Sequence, residues 1–135
     1  MNHINYFADY KMTNSYNHNN NIDTTENGFL KGNMFKNLYS PYKNYQVPNI
    51  KLTKDQDEMM YNIQMYSFGM NDLVLYLDTN PLDQNAVREF IKLQSDYKRA
   101  VRDYENKYGP INLTSDLLER TPWPWLGNWP FGGKF

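Results

Sequence analysis

The sequence predicts an all-α protein: an antiparallel two-helix hairpin with long irregular N- and C-terminal arms. Two long helical patterns meet at a tight hinge at residues 75–83, and a Gly-Pro pair stops the second pattern. We divide the chain into an Asn- and Tyr-rich arm predicted to be disordered (1–27), a docking segment and linker (28–52), the hairpin (53–109) and a Trp- and Pro-rich tail (110–135).

Capping signals predict where both helices begin and end. Thr53 and Gln56 fit a capping box, so the first helix should begin at Thr53. Asn80 and Pro81 fit the start of the second helix, because a proline at the first helical position sacrifices no hydrogen bond. Gly109 fits a left-handed C-terminal cap, and the proline after it cannot continue the helix. Each helix then spans about 25 residues, or about 38 Å.

The first helix is apolar on two faces, whereas the second has one apolar stripe. Spacings of four and three predict the seam between the helices, which on the first helix comprises Met59, Ile63, Tyr66, Met70, Leu73 and Leu77. The opposite face is interrupted by Asp72 and carries Tyr61, Met65, Phe68 and Leu75. One antiparallel helix covers a single face, so the second face needs the chain's own arms, a second copy or another protein. We predict that these four side chains make that contact and that the protein is not a simple monomer.

The docking segment is apolar at irregular spacing and interrupted by glycine and proline. Its candidate anchors for a partner are Phe29, Met34, Phe35, Leu38, Tyr39 and Tyr42. Because it has anchors but no repeating pattern, we expect it to be ordered by contact, either across the hairpin or on a partner. Pro48 disfavours helix in the linker that follows.

Composition excludes several classes of function. The 135 residues fit one small domain, and a net charge of −1 with interspersed signs predicts no nucleic-acid binding. The lack of cysteine excludes disulfides, thiolate metal sites and thiol nucleophiles. No apolar run reaches the length of about 18 residues that predicts a membrane span. The N-terminus lacks the pattern of a secretory signal, so we expect the protein to stay where it is made.

Three motifs carry a resemblance to a known family. They are the hinge LYLDTNPLD at residues 75–83, Tyr108-Gly109-Pro110, and the Trp-Pro-rich end. With these, residues from about Thr53 to Phe131 resemble the CotJB family of bacterial spore coat proteins. The family more often has His where Asn80 stands, so no metal role is predicted there. Residues 30–42 resemble the closing motif of CotJA, a small coat polypeptide encoded beside CotJB.

The resemblance implies a structural role in the spore coat. It implies a protein made in the mother-cell cytoplasm without a secretion signal, which assembles with other coat components. The implied partner is CotJC, which is similar to manganese catalases. No cofactor of the chain's own is expected, and a homo-oligomer is compatible with this reading.

An enzyme is the first rival interpretation, and the sequence disfavours it. No set of nucleophile, base and orienting group can be named. Four acidic residues near the hinge suggest a di-metal bundle: Asp72, Asp78, Asp83 and Glu89. Such a site needs a Glu-x-x-His pair, and both histidines, His3 and His18, lie in the N-terminal arm. We therefore interpret these carboxylates as helix caps and solvated charges.

Aromatic residues in the arms leave two further functions open. The tail residues Trp123, Trp125 and Trp129 suit a glycan-binding module, against the simpler interpretation that they pack on a helix or on a partner. The arm residues Tyr6, Tyr10 and Tyr16 are candidates for dityrosine crosslinking. The tyrosines on the helix stripes are interpreted as core.

Overall fold

The computed structural model describes residues 21–38 and 43–126, and within these ranges the regular elements are helices. The α-helices are α1 (Thr25–Lys31), α2 (Asp55–Thr79) and α3 (Gln84–Tyr108). Two short 3₁₀ helices follow, Asp116–Glu119 and Pro124–Leu126. The all-α class is confirmed, and α2 and α3 form the antiparallel hairpin. The sequence analysis did not predict α1, which spans the proposed boundary at residue 27.

Helix α2 begins two residues later than the capping box predicts. The N-cap residue is Lys54, whose side chain makes no capping hydrogen bond. Gln56, the proposed second member of the box, instead donates from Nε2 to the hydroxyl of Tyr104 at 2.9 Å. Three acidic side chains in the first turn of α2 favour this start, because they face the positive end of the helix dipole. The prediction of a capping box at Thr53 was therefore wrong.

Helix α3 is capped by Asp83 and not by Asn80. Asp83 Oδ1 accepts the backbone N–H groups of Asn85 at 3.0 Å and Ala86 at 3.1 Å. Asn80 ends α2, since both its amide and its side chain donate to carbonyls in the last turn of that helix. Pro81 follows Asn80 in a turn closed by the Asp83 N–H and the Asn80 carbonyl at 3.1 Å. The predicted cap was wrong because Asn80 already serves the other helix.

Helix α3 ends where the sequence predicts, at Gly109. The residue has φ 104° and ψ 179°, so its φ is positive as expected while its ψ lies outside the left-handed helical region. Its N–H donates to the Glu105 carbonyl at 3.0 Å. A side chain is disfavoured at such a φ, which explains the glycine.

Two apolar clusters fill the protein. The hinge-side core contains Met34, Phe35, Leu73, Tyr76, Ala86 and Leu93. The open-end core, at the other end of the hairpin, contains Ile63, Tyr104 and Ile111. The hinge-side core thus joins both long helices to residues that precede them, and the open-end core joins them to the chain after α3.

The N-terminal segment, residues 21–38, is a loop closed by its own backbone. Ile22 and Phe35 form an isolated antiparallel bridge. Beside it, the Asp23 N–H donates to the Met34 carbonyl at 2.7 Å. Residues 21–27, placed by the prediction in a disordered arm, are therefore part of an ordered loop.

Helix α1 fills this loop and has a cap at each end. Thr24 Oγ1 accepts the Asn27 N–H at 3.3 Å, and Gly32 ends the helix in the left-handed conformation at φ 91°. Lys31 donates to Asp23 Oδ2 at 2.9 Å across the base of the loop. This hydrogen bond lowers the pKa of Asp23. The loop is thus stabilised by contacts within residues 21–38, in addition to its contacts with the hairpin.

Candidate partner-binding surface

The second apolar face of α2 is covered in part by the N-terminal segment. The ring of Phe29 lies edge-on to Tyr61, with centroids 5.3 Å apart, and 5.6 Å from Phe68. Burial raises the pKa of Tyr61. Met65 is half-buried, whereas Leu75 is 59% exposed. Of the four side chains predicted to bind a partner, two contact the chain's own α1 and Leu75 faces outward.

Two anchors of the docking segment lie inside the hinge-side core. Met34 is 1% exposed and Phe35 is 2% exposed. The Phe35 ring lies 4.5 Å from that of Tyr76, and the Met34 N–H donates to Asp72 Oδ2 at 2.7 Å. The segment is therefore ordered by contact across the hairpin. Asp72, which interrupts the apolar face in the sequence, receives a backbone N–H that would otherwise be buried without a partner.

Two glycines, Gly69 on α2 and Gly28 in α1, allow close packing around the N-terminal segment. A Cβ atom on Gly69 would lie 2.8 Å from Leu93 Cδ1 and 3.1 Å from Thr25 Cγ2. A Cβ atom on Gly28 would lie 2.6 Å from Met34 Sδ. These distances are shorter than normal carbon contacts. A side chain at Gly69 would therefore press on Leu93 of α3 and on Thr25 of the segment, whereas one at Gly28 would press on Met34 within the segment itself.

A part-buried hydrogen bond between two side chains supports the hinge in addition to the Asp83 cap. The Tyr76 hydroxyl donates to Asp83 Oδ2 at 2.9 Å. Burial and this bond raise the pKa of Tyr76 from 10.0 to about 12. Because the folded state holds the proton more tightly, this contribution to stability is present below pH 10 and is lost as the pH rises through about 12.

Three of the four hinge carboxylates have partners within the fold, and the fourth is exposed. Asp72 and Asp83 accept backbone N–H groups, Glu89 lies 3.9 Å from Lys92, and Asp78 is exposed. In the part of the chain that the structure describes, no group of three or more His, Asp or Glu side chains could hold a metal ion. Both histidines lie outside the described residues.

The tail returns to the end of α3 through one tryptophan. Trp125 Nε1 donates to the Pro110 carbonyl at 3.0 Å, and its side chain is half-buried. Trp123 is exposed and lies edge-on to Trp125, with ring centroids 6.4 Å apart. Trp129 lies outside the described residues. The glycan-binding and packing roles both stay predictions, which a glycan array on the purified protein would separate.

Other predicted residues are exposed or lie outside the described ranges. Leu38 is exposed. The remaining candidates lie outside: Tyr6, Tyr10, Tyr16, Tyr39 and Tyr42. Their roles in partner binding and crosslinking stay predictions.

An apolar strip that the sequence analysis missed lies on the other flank of the hairpin. We call it the open flank; it consists of Val74, Val87 and Ile91, which are 41%, 39% and 59% exposed. Val74 and Val87 each follow a buried seam residue and are therefore rotated by about 100° from the seam. In antiparallel helices this rotation brings both onto the same flank. The signal in the sequence was a β-branched residue directly after a seam position.

A shallow groove of about 490 Å³ adjoins the open flank. Asn71 lines the groove and lies one helical turn before Val74. The other lining residues are Met60, Ile63, Gln64, Ser67, Phe68, Tyr97 and Ile111. The groove and the open flank together form the partly apolar surface that the N-terminal segment leaves uncovered.

Comparison with known proteins identifies a family that matches this chain. The family described as CotJB protein matches residues 57–131, which is more than half of the chain. No curated protein and no solved structure matches the chain significantly. Of the helices in the described ranges, none combines the length and the apolar character needed to cross a bilayer.

Proposed function

The chain belongs to the CotJB family, and on this premise we propose that it is a structural coat protein that assembles with a CotJC-like manganese catalase and other coat proteins. Membership in the family implies a protein of the spore coat. The proposed place of synthesis is the mother-cell cytoplasm. The protein would contribute a binding surface and no catalysis of its own.

A non-enzymatic role is supported by the polar side chains at the hinge, which form hydrogen bonds that stabilise the fold. Tyr76 and Asp83 bind each other and a helix end, and Asp72 holds the N-terminal segment. These contacts explain Asp72 and Asp83 as parts of the fold. In the described part of the chain, the polar residues named here have structural roles that do not depend on catalysis.

The open flank is the observation that supports binding of a partner most directly. Phe29 covers much of the second face of α2, so that face offers Leu75 and little else to another protein. Val74, Val87 and Ile91 remain exposed beside a shallow groove, on the two most regular elements of the fold. Apolar strips bordered by polar residues are typical of protein interfaces. We assign the interface with the catalase-like protein to this flank.

Co-expression with the catalase-like neighbour, followed by size-exclusion chromatography, tests the proposal. The unmodified chain should co-elute with the enzyme, and Ile91→Asp should abolish co-elution while circular dichroism shows unchanged helix content. Val47→Asp is the matched control, because Val47 is equally an exposed aliphatic residue but lies in the linker. Failure of the unmodified chain to co-elute would refute the partnership, and co-elution of Ile91→Asp would refute the assigned surface.

A further inference from the structure

The shallow groove begins at the open end of the hairpin, beside the chain that follows α3. Ile111 lines the groove, and the residue before it, Pro110, accepts the Nε1–H of Trp125 at 3.0 Å. Leu126 is the last described residue, and residues 127–135 follow it in the sequence. The hydrogen bond to Pro110 therefore holds the end of the described chain close to one end of the groove.

The walls of the groove suit an uncharged, extended peptide. None of the described residues that line it is charged. Gln64, Ser67 and Asn71 follow one another at one-turn spacing on α2, and all three are exposed. An extended backbone leaves its N–H and C=O groups unpaired, and amide and hydroxyl side chains can bond to both kinds of group. Met60 and Ile63 supply apolar contact on the same helix.

The sequence after Leu126 has a matching composition. Residues 127–135 read GNWPFGGKF, with Trp129 and Phe131 on either side of a proline. The proline disfavours helix at Trp129, and each aromatic ring can bury about 150–250 Å². The charged side chain of this segment, Lys134, follows the aromatic pair. The segment therefore offers two aromatic anchors on an uncharged stretch of chain.

The segment is also long enough to fill the groove. Because α2 rises about 1.5 Å per residue, Met60 and Asn71 lie about 16 Å apart along its axis. Residues 127–135 span about 28 Å in a polyproline-like conformation, at about 3.1 Å per residue. A segment that starts near Ile111 can therefore reach the far end of the groove.

We infer that the shallow groove binds the chain's own C-terminal segment, residues 127–135, with Trp129 and Phe131 as the anchors. The segment enters at the open end and runs along α2 toward Asn71. The family match at residues 57–131 contains the lining residues of the groove and both anchors, so the groove and its occupant belong to one domain.

The position of the segment favours this occupant over a second copy of the chain. A segment tethered beside the groove has an effective concentration of about millimolar, which exceeds that of another molecule in dilute solution. The open flank lies beyond the groove and stays uncovered. The bound segment therefore borders the surface proposed for the catalase-like protein without blocking it.

Disulfide trapping in the full-length chain tests this inference, because the chain has no cysteine of its own. Ser67→Cys is paired with Gly132→Cys, which adjoins Phe131 and leaves both anchors in place. One control pairs Gly132→Cys with Asn62→Cys. Asn62 is also exposed on α2, lies nearer the open end and is rotated by about 140° from Ser67.

The matched control keeps the cysteines of the first pair and adds Trp129→Ala and Phe131→Ala, so the length of the tether is unchanged. Under mild oxidation in dilute solution, the Ser67→Cys/Gly132→Cys chain should close about tenfold faster than either control, because burial of one aromatic ring suffices for such a factor. Circular dichroism should show the same helix content in all three chains.

Equal rates of closure at Ser67 and Asn62 would overturn the inference, and so would a rate that the two alanine substitutions leave unchanged. A disulfide that links two chains, seen on a non-reducing gel at twice the single-chain mass of 16.1 kDa, would assign the groove to a second copy and is equally negative. The test uses the purified chain alone, so its failure leaves the proposed binding to the catalase-like partner intact.

Discussion

The two ends of the hairpin are held together by different kinds of contact. At the hinge, residues from three parts of the chain are buried together, and the polar bond between Tyr76 and Asp83 is itself sheltered. At the open end, Asp55 Oδ2 accepts bonds from Lys107 Nζ at 2.5 Å and the Tyr108 hydroxyl at 2.6 Å, all near solvent. Water competes with such exposed bonds far more than with buried contacts. The open end also has a buried core, but it is smaller, with Ile63, Tyr104 and Ile111. The hinge end should therefore contribute more to the stability of the fold.

The same difference explains which apolar faces are available for binding. The N-terminal segment covers one α2 face, with Met34 and Phe35 near the hinge and Phe29 further back over Tyr61 and Phe68. At the open end, Ile111 from the chain after α3 completes the smaller cluster. Within residues 21–38 and 43–126, the stretch that neither arm covers is the open flank. An arm that completes the core on one flank thus leaves Val74, Val87 and Ile91 exposed on the opposite flank.

The largest expected effect comes from truncation of the hinge-side core. Leu73 is fully buried, so Leu73→Ala should lower the free energy of unfolding by about 2–5 kcal/mol. Val74→Ala, one position later and exposed, is the control and should cost less than about 1 kcal/mol. Urea denaturation measures both. Equal losses for the two variants would contradict the proposed burial pattern of α2.

The next largest effect should follow from removing Asp83. Asp83→Ala deletes the cap of α3 and leaves the Tyr76 hydroxyl without this acceptor, so it should cost about 1–3 kcal/mol. Asp78→Ala serves as the control, because Asp78 is an exposed carboxylate in the same hinge. Asn80→Ala removes the side chain that the sequence favoured as the cap. If Asn80→Ala destabilised α3 more than Asp83→Ala did, the cap would be wrongly assigned.

A smaller effect is expected at the end of α3. Gly109→Ala should destabilise the protein by about 1 kcal/mol, because φ 104° strains any residue with a Cβ atom. Apart from its neighbours in sequence, no described residue has an atom within 4 Å of the position that the Cβ would take, so the expected cost is one of backbone conformation. Urea denaturation of this variant with an unchanged midpoint would show that the chain leaves α3 differently.

The smallest effect should come from the exposed cluster at the open end. The hydrogen bond from Lys107 lowers the pKa of Asp55, so its stabilising contribution is present above pH 3.8 and is lost as the pH falls through the lowered value. Asp55→Asn should therefore shift the urea midpoint less than Asp83→Ala at neutral pH, and the shift should shrink further in high salt. A salt-independent loss as large as that of Asp83→Ala would contradict the contrast between the two ends.

The sequence predicted the long elements because their signals are repetitive. The single stripe of α3, the two-faced α2 and the stop at Gly109 each follow from spacing or from backbone chemistry. The start of α3 was misplaced because Asn80 and Asp83 both suit a cap. Only the three-dimensional path shows that the last carbonyls of α2 already engage Asn80.

The N-terminal segment was harder to predict because its order depends on distant residues. Seven residues are too few for α1 to be stable alone, and its caps at Thr24 and Gly32 are signals found in many loops. The Met34 N–H finds its acceptor 38 positions later in the chain, at Asp72, which appears in the sequence only as a polar gap in an apolar face. Long-range contacts of this kind leave no local pattern.

Amide hydrogen exchange on the purified full-length chain tests most directly whether the N-terminal segment is part of the core. The Met34 N–H donates to the Asp72 carboxylate at 2.7 Å within the hinge-side core, so it should exchange about as slowly as amides in the middle of α2. Amides of the exposed linker at residues 43–51 provide the fast reference. Slow exchange at Met34 would agree with a core completed by the segment, whereas exchange at the rate of the linker, with α2 protected, would contradict it.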